Sequence, residues 1–134
     1  MAGTHTIRNG LVIFAKDPLR VASFYQLILK MDVIENEQSH LLLQNDNSEI
    51  VVHSIPEAIA QNVSIETPPR PRENAAVKAV FEVTDLEMAR RIASETGGDM
   101  RPQQQAWTMR GFQVIDAWDP EGNIVQLKQF ANED

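Results

Sequence analysis

At 134 residues and 43% hydrophobic content, the chain suits one compact domain, or two small half-domains that complete each other's core. The absence of cysteine excludes a disulfide framework, thiolate chemistry and any thiolate metal site. Nineteen acidic residues against twelve basic give a net charge of -7, which disfavours nucleic acid and anionic membranes, mildly favours a cationic small molecule, and in its simplest reading only keeps the protein soluble. The apolar runs fall far short of the ~20 residues of a spanning helix, and no basic-then-apolar leader opens the chain, so a soluble cytoplasmic protein is expected.

The first nine residues read as an extension, and residues 10–55 as a first unit. Gly10 to Lys16 is a β-branched and aromatic run suited to a buried strand. Asp17 caps the helix that follows, with Pro18 at its first position, where a missing N–H costs nothing. From Pro18 to Lys30, Val21, Phe24, Tyr25, Ile28 and Leu29 recur at helical spacing and form one apolar face. Val33 to Glu37, Leu41 to Gln44 and Ile50 to Ile55 read as three further strands, completing the order βαβββ.

Residues 56–75 are polar and proline-rich and read as a linker; Thr67 to Arg72 is extended and unable to join a central strand. The second unit, 76–131, opens with a strand from Val77 to Val83, and Thr84 with Glu87 three residues on forms a capping box before a helix from Leu86 to Thr96. Gly97 and Gly98 end that helix. Arg101 to Gln105, Phe112 to Trp118 and Ile124 to Phe130 supply three strands, the last two joined by the turn Asp119-Pro120-Glu121-Gly122-Asn123; residues 132–134 are a tail. The chain thus reads as two copies of one unit, with Asp17 and Asp85 at matching places.

The opening Phe14-Ala15-Lys16-Asp17-Pro18 with Phe24-Tyr25, its echo Val83-Thr84-Asp85-Leu86, and the closing Asp119 to Leu127 resemble the vicinal oxygen chelate superfamily, which includes glyoxalase I, extradiol dioxygenases and the bleomycin and fosfomycin resistance proteins. The resemblance runs from about Gly10 to Phe130. It implies an α+β fold of two βαβββ modules whose curled mixed sheets surround a cleft, completed as a homodimer with modules paired within or between chains. It also implies four cavity-facing metal slots, on the first and last strand of each module. Here they fall at about Gly10 and Lys78, near Val51, and at Gln126. Glycine and valine offer no donor, an ammonium repels a divalent cation, and a neutral glutamine carbonyl is a weak ligand. No metal or other cofactor is therefore expected, a divalent metal being the weaker alternative.

Strand alternation turns Gly10, Val12, Phe14, Lys78, Val80 and Glu82 toward the cleft, and Leu11, Ile13, Ala79, Phe81 and Val83 toward the helices. Lys78 and Glu82 are charges on otherwise apolar strands. They either pair, across ~13 Å between Cα atoms, or meet a polar ligand. His53 is an ordinary strand histidine, a ligand contact or a displaced metal ligand; His5 and His40 are assigned no chemistry. Trp107, Arg110, Phe112, Asp116 and Trp118 suit either stacking on a planar or cationic ligand or a dimer interface. The ligand-binding candidates are Phe14, His53, Lys78, Glu82, Trp107, Arg110, Trp118 and Gln126, with no catalytic residue assigned.

No nucleophile elbow, phosphate-binding loop or dinucleotide fingerprint occurs. Three functions remain open. They are a metal-independent binder of a cationic or aromatic small molecule, a lyase, isomerase or dioxygenase that keeps a metal through displaced ligands such as His53, and a structural or interaction domain whose cleft its own side chains fill.

Overall fold

The computed structural model describes residues 5–131. The start of the expected N-terminal extension and the expected tail at 132–134 lie outside this range. Strand β1 (Asn9–Ala15) leads into α1 (Pro18–Leu29), followed by β2 (Asp32–Asn36), β3 (His40–Gln44) and β4 (Ser48–Ser54). The linker carries one short helical turn, α2 (Glu57–Ala60). Then come β5 (Ala79–Glu82), α3 (Leu86–Glu95), β6 (Asp99–Met100), β7 (Trp107–Met109), β8 (Phe112–Trp118) and β9 (Ile124–Phe130).

Each unit folds into its own mixed sheet. In the first the strand order is β1-β4-β3-β2, and in the second β5-β9-β8-β6, with β7 on the same edge of β8 as β6. In both, the first strand runs parallel to the last and the last is antiparallel to the one before it. The repeat inferred from sequence is therefore a repeat of topology. One side of each sheet packs against the helices, which also touch each other. Val21, Phe24 and Tyr25 of α1, Ala89 and Ala93 of α3, and Leu43, Ile50, Ile115 and Leu127 of the sheets form one core shared by both units. At about 25 cal/mol per Å² of apolar surface, this burial is the main stabilising term.

Two sequence expectations need correction. Residues 101–105 do not form a strand: after Asp99–Met100 the chain makes one more bond to β8, from Arg101 N–H to the Asp116 carbonyl at 2.9 Å, and then turns through a 3-10 segment at Gln103–Gln105, which Pro102 precedes with φ -58°. The cap of α3 is Asp85 and not Thr84, its carboxylate accepting from the N–H groups of Glu87 (3.0 Å) and Met88 (3.1 Å). Asp17 caps α1 as expected, accepting from Arg20 N–H at 3.3 Å.

The turn between β8 and β9 ties the units together. Asp119 is fully buried and its carboxylate accepts from the Tyr25 hydroxyl of α1 (2.7 Å), the Asn123 side chain (2.9 Å), and the N–H groups of Glu121 (2.8 Å) and Asn123 (3.1 Å). Glu121, also buried, accepts from the N–H groups of Lys16 (2.8 Å) and Asp17 (2.7 Å), where β1 enters α1. A carboxylate at that helix start is favoured by the helix dipole. Gly122 adopts φ 86°, and a Cβ there would stand 2.2 Å from the Arg70 carbonyl of the linker, so glycine is required on both counts. Burial pushes the Asp119 carboxyl up from its ordinary range, while its four hydrogen bonds pull it back down. Tyr25 is held well above the ordinary phenol value of 10.0, first by burial and then by the Asp119 charge and hydrogen bond.

Tyr25→Phe is expected to lower stability by about 1.5–3 kcal/mol near neutral pH, the range for a hydrogen bond to a charged group. The folded state keeps the phenol protonated where the unfolded chain would release its proton, so this contribution is whole below pH 10.0 and shrinks as pH rises above it. Denaturant unfolding of both proteins across that range should show their difference narrowing; a constant difference would contradict the assignment.

Candidate functional site

The sides of the two sheets that face away from the helices are where the candidate residues gather. Leu11, Ile13 and Ala15 pack inward from β1, and Ala79 and Phe81 from β5, so alternation turns Val12, Phe14 and Val80 outward. Those three are 54%, 59% and 49% exposed, high values for large apolar side chains on paired strands. A cavity of ≈ 320 Å³ opens between the edges of β1 and β5, lined in part by Val12, Phe14, Tyr25, Val77 and Ile124.

On the first sheet the register places Phe14, His53 and His40 in one row across β1, β4 and β3. The Phe14 and His53 rings lie 5.7 Å apart, and the rings of His53 and His40 stack at 6.1 Å with 12° between their planes. His40 bonds Glu35 at 2.8 Å and Ser39 at 3.0 Å. It is therefore a member of the row, a role its place at a strand end did not reveal.

The second sheet centres on an ion pair. Lys78 Nζ reaches across β9 to Asp116 Oδ2 at 2.9 Å, so its partner is Asp116 and not Glu82. Glu82 stands instead where β5 meets α3, in a small groove with Lys30, Asp85 and Met88. The other Asp116 oxygen is buried with no partner within the described residues, which makes the Lys78 contact the main compensation for that carboxylate. Gln126 lies beside Asp116 in register and Trp118 two residues further along the same strand. The Arg101 guanidinium covers the Trp118 ring at 5.0 Å and is paired with Glu73 of the linker.

The tryptophan-rich stretch does not form one cluster. Trp107 on β7 stands opposite Val114, and Arg110, with φ 49°, occupies the β7–β8 turn. Phe112 at that end of β8 is covered by Lys128 at 4.3 Å, while Asp116 and Trp118 lie toward the opposite end. The strand separates them because each residue advances the chain by ~3.3 Å. The structure thus brings Phe14 and His53 together on one sheet, and Lys78, Gln126 and Trp118 on the other, leaving Glu82, Trp107 and Arg110 apart. Asp116, singled out in sequence with the tryptophan-rich stretch, and Arg101, which was not, are central to the second group through the ion pair and the stacked ring.

The slots of a divalent cation are poorly furnished. Val51 stands opposite Val12, and Gln126 opposite Val80, with Gly10 and Lys78 two residues further back on their strands. A Cβ on Gly10 would meet the Glu49 carbonyl oxygen at 1.8 Å. Among the described residues no group of three or more His, Asp or Glu side chains converges as a metal site. This donor set does not fit a chelated divalent ion.

Two open mixed sheets share one core, the first of four strands in the order βαβββ and the second of five, in which the short strands β6 and β7 together occupy the edge that β2 holds alone. Solved structures share this fold. A glyoxalase/bleomycin resistance protein/dioxygenase family enzyme from Burkholderia phytofirmans superposes with a TM-score of 0.67 at 17% identity, covering 91% of this chain and 97% of its own. The fosfomycin resistance protein FosX of Mesorhizobium loti gives 0.62 at 10% identity (95% and 93%), and a bleomycin resistance determinant encoded on transposon Tn5 gives 0.60 at 15% identity (92% and 98%). No protein-family model and no curated protein sequence matches the chain. Among the described residues no helix is long and apolar enough to cross a membrane.

Removing Lys78 strands the Asp116 carboxylate. Lys78→Met and Asp116→Leu are each expected to destabilise the protein, and the double variant to lose less than the sum, with a coupling of about 1 kcal/mol. Additive losses in denaturant unfolding would show that the pair does not hold in solution.

Proposed function

We propose that this protein is a metal-independent small-molecule-binding protein that works as a homodimer, in the manner suggested by the bleomycin resistance determinant whose fold it shares. The reading rests on one observation: the outward sides of both sheets present exposed apolar side chains around a few polar groups, with no convergence of ligating side chains among the described residues. A single chain leaves these surfaces to water. A second copy laid over them would convert two shelves into an enclosed cleft and remove Val12, Phe14 and Val80 from solvent.

The ligand is bound rather than transformed, and the candidate contacts are Phe14, His53, Lys78, Trp118 and Gln126. Of the cationic and aromatic ligands expected from sequence, the aromatic kind has the better support. The ring of Trp118 is covered by Arg101 and that of Phe112 by Lys128, so the chain's own cations occupy places a cationic ligand would take.

Protein purified without chelator is expected to carry divalent metal well below one ion per chain by elemental analysis, and a thermal-shift screen of aromatic metabolites is expected to raise the midpoint in a concentration-dependent way. One ion per chain would favour the metal-dependent lyase, isomerase or dioxygenase. A silent screen would favour a cleft filled by its own side chains. In sedimentation equilibrium the wild type is expected at twice the chain mass and Val80→Asp at the chain mass; a monomeric wild type would remove the two-chain cleft.

A further inference from the structure

The outward side of the first sheet holds one polar atom whose chemistry is fixed and unused. His53 Nδ1 lies 2.8 Å from the Ser54 carbonyl oxygen, an acceptor only, so the proton of the neutral ring sits on Nδ1 and the lone pair on Nε2. Among the described residues Nε2 has no hydrogen-bond partner, and it is not among the buried atoms left unpaired, so solvent reaches it. His40, one strand away, has both nitrogens engaged, by Glu35 and Ser39. The two histidines are thus unlike: His40 is a tethered backing plate, and His53 is held between that plate and the half-exposed ring of Phe14.

The surroundings narrow what can use this lone pair. The next row across the sheet runs through Val12, Val51 and Leu42, apolar over three strands, and ends at Glu35 on β2. A ligand lying beside Phe14 meets a hydrocarbon strip bounded by the His53 lone pair at one edge, by Glu49 bonded to Gln44 at the other, and by Glu35 bonded to His40 at its far end. We infer that His53 Nε2 is the specificity-determining acceptor of the cleft, and that the ligand is a planar aromatic molecule carrying one hydrogen-bond donor, a phenolic O–H or an aryl N–H, which packs on Phe14 and donates to Nε2. This rests on the binding function proposed above and adds the ligand's chemical class and orientation.

A donor-bearing ligand and its methylated counterpart separate the two levels of the argument. An acceptor placed to meet a ligand hydroxyl rejects the analogue that lacks it, because the site's polar group is then left unpaired. Titration calorimetry of the assembled protein is expected to show 2-naphthol binding about tenfold or more tighter than 2-methoxynaphthalene. In His53→Leu the two affinities should come together through weakening of 2-naphthol, with 2-methoxynaphthalene unchanged. His53→Gln, which restores a carbonyl acceptor, should recover part of the preference and serves if the leucine variant does not fold.

Equal affinities in the wild type, or a preference that survives His53→Leu, would overturn the inference. If other aromatic compounds bind while neither naphthalene does, this assignment falls and the binding function stands. If the whole aromatic panel is silent as well, both fall.

Discussion

The carboxylate of Asp119 fastens the two halves of the chain to each other. It belongs to the turn that closes the second sheet, yet one of its donors is the hydroxyl of Tyr25, from the helix of the first unit. Two residues on, Glu121 holds the backbone where β1 becomes α1. Both acids are buried, and a buried carboxylate is tolerable only when its lone pairs are met. Any displacement of one unit against the other breaks several such bonds at once. The relative placement of β1 and β5, and with it the line where the two outward surfaces meet, follows from this knot rather than from strand pairing, since β1 and β5 share no ladder.

Much of this architecture is written locally. The alternation in β1 and β5 is intact in the sequence because each strand has one wet and one dry side, and the capping aspartates precede their helices in order. What sequence conveys poorly is partnership over distance. Tyr25 reads as one more member of an apolar helix face, and its ring does pack there, but its hydroxyl is committed to a residue 94 positions away. Asp119 reads as a turn former, and the turn is present, but its burial depends on α1. The stretch after α3 misled for a different reason. Its polar run has no periodicity to resolve, and after Arg101 the chain turns away from β8 through Pro102 into a 3-10 segment.

The candidate site divides along the same line. Phe14 and His53 are recoverable from parity alone, being on the same side of adjacent strands once the parallel register is known. Lys78 announces itself as a charge on an apolar strand, but which acid answers it depends on a reach across β9 that spacing cannot supply. Glu82 is closer in sequence and lies on the same strand, whereas Asp116 is closer in space. Arg101 was legible only as part of a strand that does not form; its N–H still bonds β8, while its guanidinium covers Trp118 and meets Glu73 of the linker.

The close approach of β4 to Gly10 limits what this scaffold can become. The Glu49 carbonyl occupies the space that a side chain at position 10 would need, so every replacement there, whatever its functional group, must first push two paired strands apart. A protein engineer seeking to give this cleft a catalytic ion could not begin at that corner by point substitution. The backbone would have to be redrawn before the chemistry could change.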